Sequence, residues 1–132
     1  MEYLHLQHQH HKASTFKYLT GADVPTTALI TVKSSAHRIY VQKITLSITT
    51  HANAKVALTI QSSNATPVVI ASRTDLTAAA GVPDEITWDF GPTGIPVALG
   101  ESLHYLAATG GSGPVGCFTV ESYQKQEGAV AM

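Results

Sequence analysis

Short runs in which hydrophobic and polar residues alternate follow one another along the chain from Leu29 to Tyr123. Gly, Pro, Asn, Asp or Ser interrupts them every 8–15 residues, and no amphipathic stretch reaches the length of a helix. Val56, Leu58 and Ile60 illustrate the pattern, because a period of two places them on one face of a strand. About eight strands at this spacing predict an all-β fold, a single antiparallel sandwich. The alternation of long and short loops favours a jelly roll over an immunoglobulin-like sandwich.

The longest candidate strand, residues 37–49, changes the parity of its hydrophobic positions halfway along. These positions are first odd-numbered and then even-numbered: Ile39 and Val41, followed by Ile44, Leu46 and Ile48. A regular strand would send the two sets to opposite faces of the sheet. We therefore expect either a β-bulge near Gln42 and Lys43 or a crossing of the strand between the two sheets at that point.

The later strands carry simpler signals. Ile86, Trp88 and Phe90 alternate with polar residues, so the single Trp is expected to face the core. Pro96 has no N–H to donate, which favours an edge position for the short segment 95–99. The last two strands are expected at residues 103–108 and 115–123.

The chain divides into three regions. Residues 1–25 begin with a polar, His- and Gln-rich stretch and end in a Gly- and Pro-containing break. We expect them to form an extended N-terminal arm, in which residues 16–19 could make one short strand. Residues 26–125 are expected to form the sandwich body, and residues 126–132 a flexible tail. One domain suits a chain of 132 residues, because a second would be too small to bury its own core.

Charged residues are scarce, and the composition argues against several kinds of partner. They make up 13% of the chain, with a formal net charge of −1, and no basic stripe of the kind that binds nucleic acid is visible. No apolar run approaches the ~20 residues of a membrane helix, and the N-terminus lacks the pattern of a secretory signal. We therefore expect a protein made in the cytoplasm with no membrane partner. Its single cysteine, Cys117, is expected to be a small buried hydrophobe.

The His-rich start of the chain is the one cluster of metal-ligand side chains in the sequence. Residues two apart share a face of an extended segment, so His8 and His10 are the candidate ligands for a Zn²⁺ or Ni²⁺ ion. The spacing matches no established zinc site, and no metal site is expected in a single chain. Around a symmetry axis, three copies of one His could share an ion.

No arrangement of residues indicates catalysis. A Gly-x-Ser-x-Gly motif is missing, and the Gly-rich segment 110–113 is not followed by the Lys-Ser/Thr of a phosphate-binding loop. We therefore expect no catalytic residues, no cofactor and no enzymatic activity. A small metalloenzyme of the cupin type is an alternative, but the body carries only His37, His51 and His104, at unsuitable spacing.

Three features of the body carry a resemblance to a known group of proteins. They are the strand 39–46 followed by 56–60, the run 88–96 ahead of the turn 100–103, and a Gly-rich loop leading into 120–124. Through them, residues 28–124 resemble the small jelly-roll or β-sandwich virion proteins of tailed bacteriophages, including capsid decoration (cement) and head-fibre proteins. The resemblance implies a non-enzymatic homotrimer on the outer capsid surface of a virion, with the major capsid protein as its partner.

The N-terminal arm is the expected means of attachment. It would add extended backbone to a neighbouring subunit or to the shell, with main-chain hydrogen bonds supplying affinity. Its candidate contact residues are Tyr3, Leu4, Leu6, Phe16 and Tyr18. The alternative is a receptor- or glycan-binding fibre or tail module on the same fold. That module would present outward tyrosines, for which Tyr40, Tyr105 and Tyr123 are the candidates.

Overall fold

The computed structural model describes residues 12–20, 26–48, 55–77, 84–108 and 114–128 of the chain. These residues form nine strands: β1 (Ala13–Thr20), β2 (Thr27–Ile30), β3 (His37–Ile48), β4 (Lys55–Ser62), β5 (Val69–Thr77), β6 (Asp84–Asp89), β7 (Ile95–Pro96), β8 (Leu103–Ala108) and β9 (Pro114–Gln126). No helix occurs within the described ranges, and the predicted all-β class is confirmed.

The strands form two antiparallel sheets that pack together as a sandwich. Sheet A has the order β1-β9-β3-β6, with the two-residue strand β7 also paired to β3, and sheet B has the order β2-β8-β4-β5. All the pairings are antiparallel, which confirms the predicted antiparallel sandwich. Pro96 lies in β7, at the edge position that its missing N–H predicts.

The core lies between the sheets and is built from both. Sheet A contributes mainly residues of β3 and β9, and sheet B contributes residues of β4 and β8: Ile39, Val41, Ile44, Leu46, Phe118 and Val120 face Leu58, Ile60, Leu103, Tyr105 and Ala107. The Tyr105 and Phe118 rings meet across the core with centroids 5.1 Å apart. Trp88 packs against this cluster, as its alternation predicted. Each large side chain buried here contributes about 1.5–3 kcal/mol to stability.

The β-bulge predicted in the long strand is present at Gln42. Val41 of β3 pairs with Ser122 of β9, and the next paired residue of β3 is Lys43, opposite Glu121. The extra residue restores the inward direction to the even-numbered positions, so the hydrophobic residues on both sides of Gln42 are buried. The Gln42 carbonyl accepts a hydrogen bond from the Phe90 N–H at 2.8 Å. The bulge is thereby tied to the chain that leaves β6.

The two ends of the described chain add to sheet A. Of the expected arm, residues 13–20 form β1, which pairs along its whole length with β9. The rest of the arm, residues 1–11 and 21–25, lies outside the described residues. Of the expected tail, Gln126 ends β9, and the N–H groups of Glu127 and Gly128 both donate to the Ala36 carbonyl at 2.9 Å. Residues 129–132 lie outside the described residues.

Candidate functional site

The outer face of sheet A, on the side away from the core, is the candidate functional surface. Its residues follow from the strand register, because residues opposite each other in a sheet share a face. Two rows cross the sheet from β1 through β9 and β3 to β6: Phe16, Thr119, Thr45 and Thr87 in one, and Tyr18, Cys117, Ser47 and Glu85 in the next. Each row therefore begins with an aromatic side chain at the β1 edge and continues with small or polar ones.

Phe16 and Tyr18, which we call the β1 aromatic pair, are large side chains left open to solvent. Phe16 is 58% exposed and Tyr18 is 65% exposed. Their rings meet edge to face, with centroids 5.1 Å apart and planes at 84°. This is a favourable aromatic geometry, so the two rings form one raised apolar feature. Exposed apolar features of this kind commonly mark interaction sites.

The backbone beneath the β1 aromatic pair belongs to an edge strand. Within the described residues, β1 is the terminal strand of sheet A and hydrogen-bonds to β9 as its neighbour. The buried Tyr105 of sheet B directs its hydroxyl toward the Tyr18 carbonyl at 3.5 Å, which connects β1 to the core. An edge strand offers backbone N–H and C=O groups that a strand from another chain can pair with. The β1 edge thus combines apolar contact area with groups for main-chain hydrogen bonding.

The residues predicted for the arm are distributed as follows. Phe16 and Tyr18 lie together on the outer face of sheet A. The other predicted contact residues, Tyr3, Leu4 and Leu6, and the candidate metal ligands His8 and His10, lie outside the described residues. Nothing in the described ranges groups three or more His, Cys, Asp or Glu side chains as a metal site would.

Cys117 corrects one expectation from the sequence. The thiol is unpaired and half-buried, and it lies on the outer face of sheet A beside Tyr18 and Ser47 in the strand register. The prediction of a core cysteine was wrong because β9 alternates faces, and Phe118 takes the neighbouring inward position with no exposed surface. An apolar neighbourhood in sequence did not determine the face.

A second aromatic pair lies farther along β9 on the same outer face. Tyr40 and Tyr123 are directly opposite each other in the register of β3 and β9, and their rings stack with centroids 5.0 Å apart and planes at 8°. The Tyr123 hydroxyl donates to the Thr93 carbonyl at 2.6 Å, and the Tyr40 hydroxyl donates to the Glu127 carboxylate. Both rings therefore have their polar ends tied to other parts of the chain.

Arg38, Tyr40 and Glu127 form a polar group that we call the Glu127 cluster. The Arg38 Nε atom lies 3.0 Å from Glu127 Oε1 and forms an ion pair with it. The hydrogen bond from Tyr40 is the main cause that lowers the pKa of the Glu127 carboxyl, and Arg38 lowers it further. The same hydrogen bond raises the pKa of Tyr40, and burial raises the pKa of Tyr123. The cluster fastens the end of the described chain to β3.

The three tyrosines considered as a sugar-binding platform do not lie on one surface. Tyr105 is 1% exposed and lies in the core, whereas Tyr40 and Tyr123 are brought together on the outer face of sheet A. Sequence reasoning missed Arg38 and Glu127, which support this pair. No local signal could have found them, because Arg38 and Glu127 are 89 positions apart in the chain.

The histidines considered for an enzyme site are separated within the described residues. His104 alternates outward on β8 of sheet B and is half-buried, whereas His37 begins β3 of sheet A. The His37 Nδ1 atom shares a hydrogen bond of 2.7 Å with the Ser34 hydroxyl. His51 lies outside the described residues.

Comparison with known proteins adds no relative to this picture. No protein-family model matches the chain, and no curated protein matches it. None of the described segments is a helix long and apolar enough to cross a membrane.

Proposed function

We propose that this protein is a non-enzymatic structural protein of a phage virion, most specifically a capsid decoration protein that binds the outer shell and stabilises it. The phage setting rests on the resemblance of residues 28–124 to small virion sandwiches. The observation that carries a docking role is the β1 aromatic pair, two exposed rings on an edge strand. A decoration protein acts by binding the capsid surface, and the outer face of sheet A provides exposed side chains for such binding.

In the proposed attachment, an extended segment of the major capsid protein pairs with the β1 edge. Main-chain hydrogen bonds supply part of the affinity, and the rings of Phe16 and Tyr18 supply apolar area beside them. Aromatic side chains are the usual anchors of protein interfaces because they bury a large area with few rotatable bonds. The Thr and Ser side chains behind them leave room for a partner to lie flat on the sheet.

We further propose that the protein acts as a homotrimer made in the host cytoplasm and mounted on the outer surface of the capsid. A trimer presents three β1 edges at once. Linked contacts raise the total affinity because the second and third contacts form at a high effective concentration. Rupture of the shell beneath a trimer would then require several contacts to break together.

The proposed sandwich type is a jelly roll. Its support is the strand order: β1 lies beside β9, and β1, β2, β3 and β4 alternate between the two sheets. In an immunoglobulin-like sandwich the first two strands are neighbours in one sheet. Here β1 and β2 belong to different sheets, which fits the interleaved Greek keys of a jelly roll.

The proposal is tested by binding to capsids of the phage that encodes the protein, measured as co-sedimentation with expanded shells. The double variant Phe16→Ser/Tyr18→Ser should weaken binding by at least about tenfold, because it removes both anchors from an exposed surface. Deletion of residues 1–20 is a poorer test. It would remove β1 from sheet A, so a loss of binding could not be assigned to the two aromatic side chains.

A matched control exists on sheet B. Val68 and Val69 are 62% and 53% exposed, and Val68→Ser/Val69→Ser removes a similar exposed apolar area at the start of β5. This variant should bind capsids as the unmodified protein does. Equal loss with both double variants, or no loss with either, would contradict docking through the β1 edge.

The second candidate function is a receptor- or glycan-binding fibre or tail module. It is favoured by one observation, the outward Tyr40–Tyr123 pair. Because the two rings stack on each other, a sugar would meet their edges or one outer ring face. A glycan array separates the two functions: selective binding to one glycan class supports the module, and capsid binding without glycan binding supports decoration.

A further inference from the structure

A cleft of about 300 Å³ opens beside the β-bulge of sheet A. Its volume lies at the lower end of the range of small-ligand sites. The uncharged part of its wall is Gln42 with Gly91 and Pro92, and the charged part is Lys12, Lys43, Asp89 and Glu121. The cleft is therefore mainly polar, and in the strand register Glu121 and Lys43 lie in the row next to that of Phe16.

The uncharged wall of the cleft is held in place by the bulge. The Gln42 Nε2 group donates to the Pro92 carbonyl at 2.6 Å, and the Gly94 N–H donates to the Gly91 carbonyl at 3.1 Å. Gly94 has a φ of +80°, and a Cβ there would lie 3.0 Å from the Val41 carbonyl oxygen. The chain from Gly91 to Gly94 is thus packed closely against β3, and bulges of this kind are frequent beside functional sites.

Gln42, which lines this wall, carries a buried acceptor. The residue is 6% exposed, and its Oε1 atom is buried without a hydrogen-bond partner among the described residues. A buried amide oxygen without a partner costs free energy, and such groups in native proteins call for an explanation. A hydroxyl donor bound at this wall would supply the missing hydrogen bond once the Gln42 side chain turns its Oε1 atom toward the cleft.

The charged side chains of the cleft balance one another. Lys43 lies between Asp89 of β6 and Glu121 of β9 in the strand register, and Lys12 precedes β1. Among the described side chains, these four residues form no ion pair with one another. An anion in the cleft would meet two carboxylates, and a cation would meet two ammonium groups.

A neutral ligand that carries hydroxyl groups suits this wall best. Each hydroxyl can donate one hydrogen bond and accept others. The lysines can only donate, and ionised carboxylates can only accept. Asp89 already accepts a hydrogen bond from the Gly91 N–H at 2.9 Å through Oδ1, so its other oxygen is the one directed to a ligand in this scheme.

We infer that this cleft binds a single neutral sugar unit. Lys43 donates to a sugar oxygen, Glu121 and Asp89 accept from sugar hydroxyls, and the Gln42 side chain accepts from another. The inference does not depend on capsid attachment through β1. It gives the second candidate function a specific site, distinct from the tyrosine rings themselves.

The test is an NMR titration of the full-length ¹⁵N-labelled protein with glucose, galactose and N-acetylglucosamine, each at millimolar concentrations. At least one sugar should shift the amide signals of Gln42, Lys43, Gly91 and Glu121 in a saturable way, with little change at Ser47 and Glu85, which lie two rows farther along the sheet. Inorganic phosphate, an anion, and glycine, a zwitterion, serve as comparison ligands and should shift these signals less. Selective shifts with phosphate or glycine alone would overturn the inference.

Variants distinguish the cleft from the rest of the sheet. Glu121→Gln and Lys43→Met should each weaken sugar binding about tenfold, since each removes a charged hydrogen-bond partner. Glu85→Gln, on the same outer face but outside the cleft, should bind sugar normally, and the spectrum of each variant reports whether it is folded. No saturable shift with any of the sugars, or equal binding by all variants, would overturn the site. Neither result bears on capsid binding through β1. Failure of the sugar site is therefore distinguishable from failure of the decoration proposal.

Discussion

The outer face of sheet A carries two aromatic pairs that have opposite relations to solvent. The β1 aromatic pair is more than half exposed, and its rings meet edge to face on a terminal strand. Tyr40 and Tyr123 are half-buried, stacked and tied through their hydroxyls to Glu127 and Thr93. The first pair is arranged for contact with something outside the chain, and the second fastens the chain to itself.

The difference teaches that surface aromatics must be judged by what holds their polar ends. A tyrosine hydroxyl bonded within the chain brings distant segments together and contributes to stability. An aromatic ring that is mostly exposed contributes little to stability, so its presence on an edge strand needs another reason. Each of the following predictions compares a substitution at a buried or hydrogen-bonded position with a substitution at a less constrained one.

The largest effect is expected beneath the β1 aromatic pair, on the inner face of β9, where Phe118 lies opposite Lys17 in the register. Phe118→Ala should lower the free energy of unfolding by about 3–5 kcal/mol, because it leaves a cavity opposite Tyr105. Cys117→Ala, one residue away on the outer face, should cost less than about 1 kcal/mol. Urea unfolding of both variants measures the contrast, and similar losses would mean that the faces of β9 are assigned wrongly.

The next largest effect is expected in residues 91–94, the segment whose Thr93 carbonyl accepts the hydrogen bond from Tyr123. Gly94→Ala should lower the free energy of unfolding by about 2–3 kcal/mol, since φ is positive and the added Cβ would crowd the Val41 carbonyl. Gly91→Ala has a similar positive φ but open space around the added Cβ, so it should cost only about 1–2 kcal/mol. Thermal unfolding of the two variants separates crowding from backbone strain, and an equal cost would exclude crowding at Gly94.

A smaller effect compares the hydroxyls of the two pairs directly. Tyr123→Phe removes the hydrogen bond to the Thr93 carbonyl and should lower the free energy of unfolding by about 1 kcal/mol. Tyr18→Phe, on the exposed pair, should change it by less than about 0.5 kcal/mol. Chemical denaturation measures both, and a larger loss for Tyr18→Phe would reverse the assignment of the two pairs.

The smallest effect is a pH dependence of stability that arises from the hydrogen bond between Tyr40 and Glu127. The folded pKa of Glu127 is lowered, so its contribution is present above the ordinary value of about 4.3 and is lost as pH falls through the folded value. The folded pKa of Tyr40 is raised, so its contribution is present below about pH 10 and is lost as pH rises through the folded value.

The Glu127→Gln variant tests this dependence. The difference in melting temperature between it and the unmodified protein should be greatest near neutral pH and should shrink in acid. Glu85→Gln, an exposed carboxylate on the same face, is the control and should show a smaller pH-dependent difference. A constant difference for Glu127→Gln across the acid range would show that the carboxylate charge does not contribute.

Much of the fold follows from the sequence because strand signals are local. The alternation of Val56, Leu58 and Ile60 predicted β4, and the change of parity after Val41 predicted the bulge at Gln42. The sequence predicted less well where strands end. β9 continues to Gln126, beyond the expected end at residue 123, because pairing with a neighbouring strand extends a strand beyond its hydrophobic residues.

The candidate surface was only half predictable. Phe16 and Tyr18 stood out as apolar residues two apart, which places them on one face of any strand. Their exposure could not be read from that spacing, because it depends on β1 lying at the end of sheet A. Cys117 shows the same limit in reverse, since an apolar sequence neighbourhood suggested the core and the register placed it outside.

The sequence by itself determined which residues form strands, where β3 carries its bulge and that the chain folds as an antiparallel sandwich. These are consequences of a two-residue period and of turn residues, and both act over a few neighbouring positions. The tertiary structure alone decided that Tyr40 stacks on Tyr123, that Glu127 meets Arg38 and that Tyr105 is buried while Phe16 and Tyr18 are exposed. These relations join segments more than 80 positions apart, and only the packing of two sheets with a defined strand order brings such segments into contact.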